Sequence, residues 1–145
     1  MLAVEPQIVE EYVRSGKVRL VFRDVLNHGE RSERASEAAA CAGRQGYFWE
    51  MHALLFESQD IVWATVNDGL LDLMFQFGNQ IEGLEKDSYR QCLQERSTLQ
   101  ALQAADAEQR ERGITSQPVF EIGDQRLFGS QSYEAMSAWI DEALK

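Results

Sequence analysis

Only two stretches of this sequence have the alternating pattern of a β-strand, and a long block of helical pattern separates them. In the first, 17–23, apolar and polar residues alternate except at Val21. The second, 118–128, consists of two short apolar runs around a Gly123-Asp124 turn, which predicts a hairpin. The sequence therefore predicts an α/β chain whose helices are grouped in the middle.

Apolar residues recur at helical spacing through the rest of the chain. Gly16, Gly46, Gly78 and Gly113 stand at positions where helices commonly end. The pattern predicts helices over residues 6–15, 31–44, 47–57, 67–78, 87–95, 98–112 and 131–144.

The net charge narrows the range of partners. With 24 acidic and 14 basic residues the formal charge is −10, and a surface of that sign repels phosphates and anionic lipid headgroups. We therefore expect no nucleic acid and no membrane surface as a partner. The length of 145 residues and the hydrophobic fraction of 44% predict a single domain, 1–145, with a sizeable core.

Two possible locations stay open at this point. No apolar run approaches the roughly 20 residues of a membrane-spanning helix. The first residues show neither the basic region nor the apolar run of a signal peptide. We expect either a cytoplasmic protein or an extracytoplasmic one whose export signal has been removed.

The residue types that could carry chemistry are few. Cys41 and Cys92 permit one disulfide or two thiols, and their number does not decide between these. Both lie in the middle of predicted helices, away from the helix N-termini that stabilise a thiolate, so we predict no catalytic residue. His28 and His52 lie at irregular spacing from Cys41 without an acidic cluster, so no metal site is predicted. No cofactor-binding motif is present.

Four aromatic residues of the helical block allow two interpretations. Phe48, Trp49, Phe56 and Trp63 could line a groove for a peptide, or they could fill the core. Because aromatic residues at helical spacing usually pack inside a protein, we expect these four in the core.

Three segments, 16–24, 38–56 and 113–120, resemble the DsbA-like thioredoxin domain of thiol:disulfide oxidoreductases. The middle segment is the most specific, because a helix ends there in a Gly-x-x-Gly-x-Phe-Trp motif and is followed by His and Leu-Phe. The residues of this motif are Gly43, Gly46, Phe48, Trp49, His52, Leu55 and Phe56. The resemblance covers almost the whole chain.

The resemblance implies a thioredoxin-like fold with a reduced sheet and an inserted helical subdomain of the DsbA type. The insertion would span about 30–112, and the thioredoxin-fold parts would be 6–24 and 113–145. The segment 17–23 would then be an edge strand of the sheet.

The resemblance also implies roles for four residues. Pro118 falls where the family has a cis-proline that lies beside the active-site cysteines and shapes the substrate groove, and Gln117 replaces the usual threonine or valine before it. Some DsbA-like proteins resemble this chain in joining a cysteine on each of these two helices in a non-catalytic bond. The resemblance therefore implies a structural Cys41–Cys92 disulfide, with two buried, inert thiols as the alternative.

The family's central strand and its Cys-x-x-Cys motif are missing from this sequence. We therefore expect the chain to be inactive in dithiol exchange as it stands, or to be a truncated form of an oxidoreductase. The alternative is a non-catalytic binding or assembly module with a polypeptide ligand. A redox protein that uses a single thiol ranks last.

The missing strand creates a structural problem. It leaves 17–23 and 118–122 with facing edges, whose backbone groups need partners. The two strands could pair directly, residues 1–5 could fold back between them, or a second chain could supply the pairing. We predict a homodimer or a domain-swapped pair.

Overall fold

A computed structural model describes residues 3–145 of the chain. The chain forms two compact units. The first unit consists of residues 3–23 and 114–145, and the second of residues 24–113. The second unit contains the predicted helical insertion, about 30–112, and begins slightly before it.

Most of the predicted helices are confirmed to within a few residues, and the hairpin is confirmed as well. One helix, α4, was not predicted. In chain order the elements are α1 (Glu5–Ile8), which continues as a π-helical turn (Val9–Val13), α2 (Glu30–Gly43), α3 (Phe48–Glu57), α4 (Gln59–Ala64), a 3₁₀ turn (Asn67–Gly69), α5 (Leu70–Gln80), α6 (Lys86–Gln94), α7 (Leu99–Glu111), β1 (Val119–Ile122), β2 (Gln125–Phe128) and α8 (Tyr133–Ala143).

In the first unit two helices pack together beside the hairpin. Ile8 and Tyr12 are buried against Met136 and Ile140 of α8, with hairpin side chains at the margin of this cluster. The Tyr12 hydroxyl donates to the Asp141 carboxylate at 3.0 Å. β1 and β2 run antiparallel, and at the two ends of the pairing Val119 lies opposite Phe128 and Ile122 lies opposite Gln125.

The second unit is organised around α2. This helix packs against α3, α5, α6 and α7, and it buries alanine and cysteine side chains that let the helices approach closely. At another close approach a Cβ atom on Gly78 of α5 would lie 2.3 Å from the Tyr89 ring of α6. The Tyr89 hydroxyl donates to the Met74 carbonyl at 3.0 Å, which ties the same two helices together.

The prediction of a strand at 17–23 is wrong. Among the residues that the structure describes, β1 and β2 form the whole sheet, and 18–26 contains no regular element. A strand exists only where a neighbour supplies its ladder of hydrogen bonds, and no described strand lies alongside this segment. The suggested direct pairing of 17–23 with 118–122 is therefore also wrong.

The suggestion that residues 1–5 replace the missing strand does not hold for residues 3–5. Glu5 begins α1, and residues 3–4 form the turn before it. Met1 and Leu2 lie outside the described residues. Within 3–145, no helix is both long enough and apolar enough to cross a membrane.

Candidate functional site

A disulfide joins two helices of the second unit. The Sγ atoms of Cys41, in α2, and Cys92, in α6, are 1.98 Å apart, and the Cα atoms are 5.9 Å apart. Both side chains are buried, and the sequence has no other cysteine, so no thiol is free. The structure thus contains the bond that the family resemblance implied.

Polar contacts surround the disulfide. Arg44 Nη1 lies 3.6 Å from Cys92 Sγ, and Arg44 Nη2 donates to the Ser97 carbonyl at 2.9 Å. Cys41 Sγ is 4.0 Å from the Thr98 hydroxyl oxygen. Contacts from Cys41 and Arg44 therefore join the turn between α6 and α7 to the C-terminal end of α2, which indicates a structural connection.

An ion-pair network holds the same turn. Arg96 has a positive φ of 51°, and its Nη2 lies 2.9 Å from carboxylate oxygens of both Glu33 and Glu37 of α2. Glu37 is completely buried, and Arg34 lies 3.5 Å from it. The hydrogen bond to Glu37 raises the pKa of Arg96, so the guanidinium keeps its charge in this position.

The second sequence-predicted site, Gln117 and Pro118, lies in the first unit, immediately before β1. The peptide bond between them is cis, and Gln117 is exposed while Pro118 is half-buried. The Pro118 carbonyl accepts a hydrogen bond from the Gly129 amide at 2.9 Å, across the open end of the hairpin. The two predicted sites therefore belong to different units.

The core interpretation of the four aromatic residues is wrong for the two tryptophans. Trp49 is 41% exposed and Trp63 is 45% exposed, whereas Phe48 and Phe56 are half-buried. α3 turns Met51 and His52 inward, and this leaves Trp49 on the outer face of the helix. Helical spacing identified these residues as one apolar stripe, but it did not show which of them lie at the exposed margin of that stripe.

The two histidines take part in these aromatic contacts. The ring of buried His52 lies 4.7 Å from Phe56 and 5.3 Å from Trp49, centroid to centroid. His28 meets Trp63 edge-on at 4.9 Å. Over the described residues, no three His, Cys, Asp or Glu side chains are grouped as a metal site requires.

Sequence reasoning missed a partly buried carboxyl group, Asp24. Burial raises its pKa, while a hydrogen bond from Ser36 and the nearby charge of His52 act in the opposite direction. It also missed the ion pairs of Arg96, since Glu37 and Arg96 lie far apart in sequence. No motif marks either feature, and only the packing of α2 reveals them.

The chain matches the family model described as Thioredoxin over residues 2–142. It is 30% identical over 145 residues to Na(+)/H(+) antiporter NhaA 3 of Salinispora tropica, covering 96% of this chain and 20% of that protein. It is 24% identical over 149 residues to disulfide bond formation protein D of Bacillus subtilis, covering 97% of this chain and 63% of that protein.

The chain belongs to the thioredoxin family. The similarity to disulfide bond formation protein D confirms the resemblance to a DsbA-like domain, and the thioredoxin-like fold with a helical insertion is likewise confirmed. The chain spans less than two thirds of the length of these curated relatives, and only one fifth of the antiporter.

Proposed function

We propose that this chain is a DsbA-like domain that does not catalyse dithiol–disulfide exchange by itself. The observation that carries this proposal is that the buried Cys41–Cys92 bond contains both cysteines of the sequence. Exchange begins when a thiolate attacks a sulfur atom, so it needs an accessible sulfur at the reacting site. Here both sulfur atoms lie between packed helices, and the bond serves to hold α6 to α2.

Insulin reduction by dithiothreitol tests this proposal, because the separated insulin chain precipitates as the interchain disulfides are reduced. We expect the wild-type chain to precipitate insulin no faster than a protein-free blank. The matched control is the variant Cys41→Ala/Cys92→Ala, which has no sulfur to exchange and should give the same rate. A wild-type rate clearly above that of the variant would contradict the proposal.

A second candidate function is a binding or assembly module. β1 pairs only with β2 within the described residues, so the other edge of β1 is open to another chain. The exposed Gln117 beside Pro118 offers backbone groups at the start of β1 for a polypeptide ligand. A homodimer or domain swap would join the outer edges of β1 from two copies.

Light scattering over a wide range of protein concentration tests this second candidate. A homodimer predicts twice the chain mass of 16.5 kDa at high concentration and a shift toward the single-chain mass on dilution. A mass that stays at 16.5 kDa at the highest concentration would exclude assembly through β1.

A further inference from the structure

The C-terminal end of α6 closes in a turn that usually contains glycine. The Ser97 amide donates to the Cys92 carbonyl at 3.0 Å, and the Arg96 amide donates to the Leu93 carbonyl at 3.3 Å. These two bonds form a Schellman motif, whose left-handed residue is most often glycine because a Cβ atom is unfavourable there. Arg96 holds that position with a φ of 51°, and no other non-glycine residue in 3–145 has a positive φ. A backbone of this kind persists where its surroundings hold it in place.

The side chain of Arg96 supplies the contacts that hold this turn. Its Nη2 atom lies 2.9 Å from Glu37 and 2.9 Å from Glu33, and its Nη1 atom lies 3.7 Å from Glu30. Its Nε atom donates to both carboxylate oxygens of Glu37 at 3.2 Å. Glycine in place of Arg96 would relieve the backbone but would lose every one of these contacts. The turn therefore keeps a less favourable backbone conformation together with an ionic connection to α2.

The disulfide and this ion pair are neighbouring connections between the same two segments. Cys41 follows Glu37 by four residues in α2, and Cys92 precedes Arg96 by four residues at the end of α6. Residues four apart on a helix lie on the same face, one turn from each other. The Cys41–Cys92 bond and the Glu37–Arg96 ion pair therefore lie about one helical turn apart along the contact between α2 and α6.

Arg34 provides a second route between these two connections. Its Nη1 atom lies 3.5 Å from the Glu37 carboxylate and donates to the Leu93 carbonyl at 3.4 Å. Leu93 directly follows Cys92 in α6. A change at Glu37 therefore reaches the backbone beside Cys92 through Arg34 as well as through Arg96. Coupling between two connections is reciprocal, so each one that forms makes the other easier to form.

We propose that the Glu37–Arg96 ion pair controls how readily the Cys41–Cys92 bond forms, so that the two connections act as a redox-linked latch on the turn between α6 and α7. In the reduced chain, the ion pair keeps α6 against α2 and holds the two thiols close together, which raises their effective concentration. Arg96 and Glu37 act as positioning residues in this step.

The oxidant for this step is a disulfide of low molecular weight, such as oxidised glutathione. Forming the Cys41–Cys92 bond releases two protons and two electrons, and oxidised glutathione takes up both as its own disulfide breaks into two thiols. The proposal does not depend on whether the chain exchanges dithiols with other proteins. The insulin assay and the redox titration below therefore fail independently.

A redox titration in glutathione buffers measures the equilibrium constant for forming the bond. The oxidised chain and the chain reduced in the unfolded state are held in each buffer until their oxidised fractions agree, and alkylation with mass spectrometry counts the thiols. We expect Glu37→Gln to lower the equilibrium constant by about tenfold. The matched control Glu50→Gln changes an exposed glutamate of α3 in the same unit and should leave the constant unchanged.

A second variant keeps the test decisive if reduced Glu37→Gln does not fold. Arg96→Lys retains a positive charge but lacks the planar guanidinium that contacts Glu33 and Glu37 together. We expect it to lower the equilibrium constant by less than Glu37→Gln does. Circular dichroism shows which reduced variants are folded. In a folded variant, a loss of stability shared by the oxidised and reduced forms leaves the constant unchanged, so the titration separates coupling from general destabilisation.

Hydrogen exchange in wild type measures the reverse effect. Reduction should speed exchange at the amides of Arg96 and Ser97, which close the Schellman motif, more than at the amides of α3. Three results would overturn the proposal. They are an equilibrium constant that is unchanged in both Glu37→Gln and Arg96→Lys, an equal decrease in Glu50→Gln, and equal exchange at residues 96–97 in oxidised and reduced wild type.

Discussion

Glu37 is the residue whose charge is most completely withdrawn from water among those that the structure describes. It is fully buried beneath the guanidinium groups of Arg96 and Arg34. Removing one partner of a buried ion pair leaves the other charge without compensation, which is more costly than the net value of the pair. Because Arg96 lies in the turn between α6 and α7, the position of this turn depends on the Glu37 side chain.

We expect Glu37→Gln to lower the free energy of unfolding by about 2 kcal/mol, because the charge-assisted hydrogen bonds of Arg96 to the buried carboxylate are lost while Arg96 keeps its contacts with Glu30 and Glu33. Urea denaturation followed by circular dichroism measures this loss. The matched control is Glu33→Gln, at a carboxylate that also contacts Arg96 but is partly exposed, and it should cost less than about 1 kcal/mol. Equal losses in the two variants would show that burial of Glu37 contributes nothing.

The partly buried carboxyl group of Asp24 makes the stability of the fold depend on pH. Burial raises the pKa of Asp24, so the folded state binds its proton more tightly than the unfolded chain. The stability from this group is present below its unfolded pKa and is lost as the pH rises through its folded pKa.

Asp24→Asn removes this dependence, so the variant should gain stability relative to wild type at pH 7 and lose that advantage at pH 4. Urea denaturation of both proteins at the two pH values measures it, and an advantage that grows toward pH 4 would contradict the burial argument.

At the scale of elements, the disulfide connects α2 to α6 across a sequence separation of 51 residues. In the chain-entropy model, closing a loop of this length stabilises the fold by about 4 kcal/mol. We therefore expect Cys41→Ala/Cys92→Ala to unfold at much lower urea concentration than the oxidised wild type. The control is wild-type protein whose disulfide has been reduced in the unfolded state. Measured under reducing conditions, it should unfold at a urea concentration close to that of the variant. A loss below about 1 kcal/mol would mean that the bond constrains little.

The elements differ in how far the sequence predicted them. Helices such as α2 and α7 follow from local apolar spacing and local end signals, so their bounds were predicted closely. The strand at 17–23 failed because its formation depends on a partner that local spacing does not report. The disulfide between the two cysteines was predicted only from the family resemblance. The Arg96 ion pairs and the burial of Asp24 were not predicted, because they depend on contacts between residues that are distant in sequence. The exposed Trp49 and Trp63 show that the spacing of a stripe does not establish how far the core reaches.

At the scale of the whole molecule, the chain is a thioredoxin-family domain in which the cysteines support the helical unit. Its first unit keeps a hairpin, a cis-proline and a basic segment, 17–23, that lies outside the sheet. Family membership alone does not confer the family's chemistry, because activity depends on the residues at the site. The role that the site residues of this chain support is structural, because both cysteines are held in the buried Cys41–Cys92 bond.

Thiol trapping with a reduced peptide shows whether the buried disulfide takes part in exchange. The folded, oxidised chain is incubated with a peptide that carries two thiols, quenched with N-ethylmaleimide and weighed by mass spectrometry. We predict that the chain gains no maleimide and that the peptide gains two, because the buried Cys41–Cys92 bond accepts no electrons. Two maleimides on the chain, at Cys41 and Cys92, together with an oxidised peptide that gains none, would show dithiol exchange and would contradict a purely structural role for the bond.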